Sequence, residues 1–113
     1  MIPGDIVLVA MPTRKGSGKK RPALILQKTQ PFEDLLVCGI SSQLQYEVKG
    51  FDLVIREEDP NFELTGLKRD SLIRLGYITT IAKNRIPGKI GALPAAHFET
   101  LIQRLTDFLH EPL

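Results

Sequence analysis

Residues 4–10 read GDIVLVA and residues 21–28 read RPALILQK, and these two stretches decide the fold. Each is a short aliphatic and β-branched run beside Pro or Gly, which favours a strand over a helix. Similar runs follow about every ten residues. Strands at this spacing with no helices between them predict an antiparallel barrel or sandwich, because parallel strands need long crossover connections. The predicted strands are residues 6–10, 23–26, 35–40, 51–55, 72–75, 77–81 and 89–91.

The last fifth of the chain predicts a helix over residues 94–110. Its apolar residues recur every three or four positions, which places them on one face of a helix. Pro94 fits the first turn, where a missing N–H costs nothing. The predicted fold class is therefore mainly β, an antiparallel barrel with a C-terminal α-helix packed across it. The apolar face consists of Phe98, Leu101, Ile102, Leu105, Phe108 and Leu109.

Composition indicates a small globular protein, and we expect residues 1–113 to form one domain. Of the 113 residues, 42% are hydrophobic and 25% are charged, as in ordinary single domains. Lys and Arg number 15 against 13 Asp and Glu, a net charge of +2, which allows only a local basic patch. One cysteine excludes a disulfide framework and multi-cysteine zinc sites. The sequence has no apolar run of about 20 residues, and its first residues lack the basic and apolar regions of a signal peptide. We therefore expect a soluble cytoplasmic protein without membrane contact.

Residues 14–21 read RKGSGKKR and carry five of the fifteen basic residues. The glycines suggest a phosphate-binding P-loop, but Thr13 and Lys20 break its pattern and a strand rather than a helix follows. We predict a flexible loop whose charge density attracts phosphate backbones without reading sequence. A solvated hairpin loop without a ligand explains the composition equally well.

Other chemically capable residues favour structural roles. His97 and His110 lie about 220° apart around a helix at 100° per residue, so they cannot act as a pair within one chain. The acidic run Glu57–Asp59 has no histidine beside it, which favours a solvated turn over a metal site. Cys38 lies within an apolar strand, where a buried thiol is expected rather than a nucleophile. We therefore predict no metal site.

Polar side chains at two strand ends remain as candidates. Arg21 begins the second strand immediately before Pro22, and Ser41–Gln43 end the third. Hydroxyl and amide groups at the end of a buried strand need a partner or solvent, so strand capping explains them. A guanidinium beside a hydroxyl also makes a phosphate site, because its fork matches two phosphate oxygens. The residues alone leave both interpretations open.

Several segments in order resemble the MazF/PemK family, the toxins of bacterial type II toxin–antitoxin systems. The resemblance implies an SH3-like barrel with a C-terminal helix, assembled as a homodimer. It also implies endoribonuclease activity that cuts single-stranded mRNA at short motifs without a metal or other cofactor. The implied partner is a small antitoxin, in a toxin–antitoxin complex that binds DNA. We expect this antitoxin, with its disordered acidic tail, to cover the basic loop and the groove near Arg21. The matching segments are residues 4–9, 20–27, 39–43, 67–73 and 78–81, followed by the amphipathic helix.

The resemblance also assigns roles to individual residues. The family's catalytic arginine precedes a proline at the start of a strand, which here is Arg21. The second catalytic residue is a threonine that closes the third strand, and Ser41 stands at the matching position. Serine keeps the hydroxyl but lacks the branching that fixes its rotamer, which can weaken activity. The family's RNA groove assigns RNA contacts to Lys19, Lys20, Ser42 and Gln43.

These observations support an enzymatic hypothesis and two rivals. In the enzymatic hypothesis the RNA 2′-hydroxyl attacks its own phosphate, while Arg21 and Ser41 stabilise the developing charge. The alternative is an SH3-like barrel that binds RNA or a protein without cutting, which the serine at position 41 and the unidentified proton acceptor favour. A peptide-binding SH3-like module requires aromatic groove walls, and the seven Phe and Tyr residues are dispersed along the chain.

Overall fold

The computed structural model describes residues 1–13 and 16–113. Their six strands form one antiparallel sheet, which curls into a half-barrel. The strands are β1 (Asp5–Thr13), β2 (Gly16–Lys28), β3 (Leu35–Ser41), β4 (Leu53–Ile55), β5 (Ser71–Ile81) and β6 (Lys89–Ala92), and the helix α1 spans Ala95–Leu109. Their order in the sheet is β4-β5-β3-β2-β1-β6. This confirms the predicted mainly β fold with a C-terminal helix.

The sheet buries side chains on both faces, which explains the unbroken apolar runs of the sequence. Ile6 and Leu24 pack with Leu101 of α1, whereas their chain neighbours Val7 and Ile25 belong to a second buried cluster. Successive side chains of a strand point to opposite faces, so a strand that is covered on both sides shows no polar alternation. Each fully buried aliphatic side chain stabilises the fold by about 1.5–3 kcal/mol.

Helix α1 begins after Pro94 and ends before His110, which confirms the predicted helix to within one residue at each end. Its apolar face packs on the sheet, and Leu101 is fully buried there. Arg104 Nη1 donates a 2.6 Å hydrogen bond to the carbonyl of Asp52 and so joins the helix to the segment before β4. In the described part of the chain, no helix has the length and apolarity that a membrane crossing requires.

The flexible loop predicted over residues 14–21 is wrong from residue 16 onward. β2 already begins at Gly16, and its basic segment pairs with β1 through Ala10↔Lys20 and Val9↔Arg21. The reason is that backbone pairing extends a hairpin beyond the point where apolar side chains stop. Residues 14 and 15 lie outside the described residues.

β5 is one strand where the sequence predicts two, over residues 72–75 and 77–81. It carries a bulge, because residues 75–77 have no pairing partner in β3. A bulge bends a strand and redirects its side chains. The N–H of Leu75 within the bulge donates to the buried carboxylate of Asp52 at 3.1 Å, so this irregular segment is held by a specific acceptor.

Candidate functional site

A cavity of about 270 Å³ opens where β2, β3 and β5 meet. Arg21 lines it from β2 and Ser41 lines it from β3. Arg74 and Tyr77 line it from β5, where Arg74 is the last paired residue before the bulge and Tyr77 is the last residue of the bulge itself. The other lining residues are Met11, Pro22, Gly39 and Ile40.

The strand register explains why Arg21 and Ser41 meet. β2 pairs with β3 as far as Ala23↔Gly39, and both strands continue beyond that pair. Two further residues along each antiparallel strand lead to Arg21 and Ser41, which therefore face one another. Pro22 lies between and has no N–H to donate to the ladder. The interrupted pairing leaves space for the cavity.

The backbone that follows β3 orients the hydroxyl of Ser41. The N–H of Gln43 donates to Ser41 Oγ at 3.0 Å, in the local turn that Ser commonly forms. This bond is the strand capping that the sequence suggested. It uses a lone pair of the oxygen, so the hydroxyl proton stays available for donation into the cavity.

The cavity is cationic. Arg21 and Arg74 both line it, and its described lining contains no Asp or Glu. Within residues 1–13 and 16–113, neither guanidinium has a carboxylate partner within 4.0 Å. Arg74 is half-buried, so its charge has reduced hydration as well. Two such groups on one cavity favour an anion with several oxygens, because each guanidinium binds two oxygens at once.

Arg74 and Tyr77 were not among the predicted site residues. Both belong to runs that only predicted strands, and their spacing does not relate them to Arg21. The useful signal lies in the pairing of strands: Arg74 pairs with Gly39, two residues before Ser41 and on the same face of β3. That pairing cannot be read from the local sequence.

The two lysines predicted to contact RNA lie outside this cavity. Lys20 lines a separate cavity of about 270 Å³ together with Arg85. Lys19 is exposed on β2. The structure therefore places Arg21 and Ser41 on one cavity and both lysines outside it.

Ser42 and Gln43, the other predicted RNA contacts, follow Ser41 at the end of β3. Ser42 lines a larger cavity of about 330 Å³, which shares Ser41 with the first cavity. Gln43 is exposed, and its Oε1 accepts a 2.8 Å hydrogen bond from Gln45 Nε2. The remaining lining of the larger cavity is Leu8, Pro22, Ile40, Gly66, Leu67, Lys68, Arg69, Ser71 and Ile90.

Cys38 is fully buried, as predicted from its apolar neighbours. Burial raises the pKa of its thiol to about 12, and the nearby carboxylate of Asp52 adds to the increase. A thiol with this pKa stays protonated at neutral pH, and the thiolate is the nucleophilic form. Cys38 is therefore a core residue.

The histidines and the acidic run also lie apart from the cavities. His97 and His110 belong to α1 and its C-terminal end, and neither contributes to the described lining of the three cavities. Asp59 Oδ2 accepts the N–H of Arg56 at 2.8 Å, so this end of Glu57–Asp59 stabilises a turn. The described residues contain no group of three or more potential metal ligands close together.

The fold and the cavity define a small antiparallel β protein with a cationic cleft where three of its strands meet. Its fold matches that of Mycobacterium tuberculosis toxin MazF-mt6 with a TM-score of 0.70, covering 96% of this chain and 99% of that chain at 17% identity. The model of the PemK-like, MazF-like toxins of type II toxin–antitoxin systems matches residues 2–109. The chain therefore belongs to this toxin family. No curated protein matches the sequence at a significant level.

Proposed function

We propose that the protein is the toxin of a type II toxin–antitoxin pair and cuts single-stranded RNA as a metal-independent endoribonuclease. The observation that carries the proposal is the convergence of Arg21, Ser41 and Arg74 on one cavity whose described lining holds no carboxylate. Membership of the toxin family supports RNA as the anion, and it also supports an antitoxin partner and a homodimer.

The reaction takes its nucleophile from the substrate. The RNA 2′-hydroxyl attacks the adjacent phosphorus, so the O2′–P bond forms while the P–O5′ bond breaks. The products are a 2′,3′-cyclic phosphate and a free 5′-hydroxyl. Water accepts the proton from the 2′-oxygen and supplies one to the 5′-oxygen. The protein then has to align the reacting atoms and stabilise negative charge on the phosphoryl oxygens.

Arg21 is suited to that stabilisation. Its guanidinium stays cationic at every physiological pH and presents parallel donors to two phosphate oxygens. The same property makes it a poor general base near neutral pH. The hydroxyl of Ser41 donates a hydrogen bond to a further oxygen. Arg74 adds a second positive charge from β5, on the other side of β3 from Arg21.

The larger cavity provides space for the nucleotide beside the reacting phosphate. It shares Pro22, Ile40 and Ser41 with the cationic cavity, so the chain of an RNA can pass from one to the other. Its mixture of aliphatic side chains with Ser42 suits an unstacked base, which proteins recognise in single-stranded RNA by contact and by hydrogen bonds to its edges.

Replacement of Arg21 by alanine tests the proposal. We expect the cleavage rate of a long transcript in EDTA to fall by 10²–10³ or more, because loss of one preorganised donor typically costs about 3–4 kcal/mol. End-mapping should find cyclic phosphates and 5′-hydroxyl groups with the parent protein. Arg56→Ala is the control, since this exposed arginine lies in a surface ion pair with Asp70 at 3.6 Å and lines none of the described cavities. An Arg21→Ala protein that cuts as fast as the parent would refute the role of Arg21.

A barrel that binds RNA without cutting is the second candidate. The observation in its favour is that the described lining of the cationic cavity includes no His, Asp or Glu to act as a general base. The same incubation separates the two functions. Saturable binding of a transcript that stays intact indicates a binding protein, whereas Arg21-dependent cleavage indicates the enzyme.

A further inference from the structure

Tyr77 carries a buried hydroxyl without a hydrogen-bond partner in the described part of the chain. The oxygen exposes less than 1 Å² to solvent, so water does not satisfy it either. Buried hydroxyl groups are nearly always hydrogen-bonded, and an exception needs an explanation. Leaving such a group unpaired destabilises the folded protein.

Packing, rather than hydrogen bonding, fixes the position of this side chain. The ring of Tyr77 lies against Gly39 of β3, where an added Cβ would come within 2.9 Å of the ring atom Cδ2. The ring also packs on the second buried cluster. Phenylalanine would fill the same space without burying a polar atom. The hydroxyl therefore contributes nothing to packing that the ring alone does not supply.

The location of Tyr77 indicates that its hydroxyl serves ligand binding. Tyr77 lines the same cavity as Arg21, Ser41 and Arg74. A donor that has already lost its water gives up no hydration when it binds a ligand, so its bond to an anion is stronger than that of a solvated donor. The oxygen is covered in the free protein, so a ligand reaches it only when neighbouring side chains move. Arg21 lines the same cavity and is exposed.

We propose that the Tyr77 hydroxyl donates a hydrogen bond to the phosphate that Arg21, Ser41 and Arg74 hold, which makes it a substrate-contacting residue. This inference rests on the proposed function for the identity of the ligand. The bond forms only when the phosphate is bound, so the free protein carries an unpaired donor and the complex does not.

Tyr77→Phe tests the proposal, because it removes the hydroxyl and keeps the ring. Hydrogen bonds to charged groups predict a fall in kcat/KM of about 10- to 100-fold for transcript cleavage. Affinity for a fully 2′-fluoro-substituted oligonucleotide, which has no 2′-hydroxyl and cannot be cut, should also fall. The melting temperature should stay level or rise, because an unpaired buried hydroxyl is removed. Tyr46→Phe is the matched control, since Tyr46 is 64% exposed.

The outcomes separate this inference from the proposed function. If Tyr77→Phe cuts and binds like the parent while Arg21→Ala is inactive, Tyr77 makes no phosphate contact and the ribonuclease function stands. If the parent binds but does not cut, the proposed function fails, and affinity for the 2′-fluoro oligonucleotide alone decides the role of Tyr77. A melting temperature that falls in Tyr77→Phe shows that the hydroxyl has a partner in the free protein, which overturns the inference.

Discussion

Ser41 has two hydrogen-bonding capacities, and the structure uses one of them. Its oxygen accepts the N–H of Gln43, which fixes the direction of the side chain at the end of β3. The hydroxyl donates to no acceptor among the described residues, and this free donor is the group that the proposed mechanism requires. Threonine would keep both capacities and add a methyl that restricts rotation about χ1.

We therefore expect Ser41→Ala to lower transcript cleavage by about 10- to 100-fold, since a bond to a charged oxygen is lost, and Ser41→Thr to keep or raise the rate. Initial rates in EDTA measure both effects. Thr106→Ala is the control, because it also removes a hydroxyl but lies exposed on α1. Parental activity in Ser41→Ala would remove this hydroxyl from the mechanism.

At the residue scale, sequence predicts best where the cause is local. The apolar neighbours of Cys38 sufficed to predict its burial. Arg21 was selected because it was predicted to begin the second strand, and that start is wrong because β2 begins at Gly16. Ser41 was selected as the end of the third strand, where β3 does end. Tyr77 could not be selected in this way. Its significance depends on Gly39, which lies on another strand, and on an unpaired oxygen that only three-dimensional packing reveals.

At the scale of elements, Asp52 joins parts of the fold that are distant in sequence. Its buried carboxylate accepts the N–H of Val48 at 2.9 Å and the N–H of Leu75 at 3.1 Å. Its carbonyl accepts the bond from Arg104 of α1. Because Leu75 belongs to the β5 bulge, this carboxylate helps to hold the segment that carries Arg74 and Tyr77.

Asp52→Ala should lower the free energy of unfolding by roughly 1–3 kcal/mol, because the buried N–H of Leu75 loses its acceptor. The N–H of Val48 loses its acceptor as well, but Val48 is exposed and water replaces the bond. Asp52→Asn keeps one acceptor oxygen and should lose less. Urea denaturation measures both variants. Asp107→Ala, which removes an exposed carboxylate bonded to Gln103, should change stability by less than about 0.5 kcal/mol. Equal stabilities of the parent and the Asp52→Ala protein would contradict the linking role.

The presence of the strands and of helix α1 was predictable for a physical reason. The residues at which the strands begin and end were not. Strands that are buried on both faces leave uninterrupted apolar runs, and the periodic face of α1 is equally plain. The extension of β2 from Gly16 to Arg21 and the bulge at residues 75–77 depend on backbone pairing with another strand. Side-chain patterns carry little information about such pairing. The basic residues 16–21 were therefore predicted as a loop, and β5 was predicted as two strands.

At the scale of the whole molecule, ten of the described cations fall into two groups, although the net charge is only +2. Among the described residues, the cations in ion pairs are Lys28, Arg56, Lys83 and Lys89, with Glu33, Asp70 and Asp5 as their partners. None of these cations lines a cavity described above. The cations that do line the three cavities form no ion pair with a described carboxylate, and they are Lys20, Arg21, Lys68, Arg69, Arg74 and Arg85.

This division predicts which cations determine the salt dependence of RNA binding. Each cation that neutralises a phosphate of a single strand contributes about 0.7 to the slope of log K against log salt concentration. The double variant Lys20→Gln, Arg69→Gln should therefore reduce the slope measured with a 2′-fluoro oligonucleotide by about 1.4. The double variant Lys28→Gln, Arg56→Gln makes the same change in net charge but removes cations that carboxylates already neutralise, so its slope should match that of the parent. Equal reductions in both double variants would mean that RNA responds to net charge alone, and the cavities would then have no special role in binding.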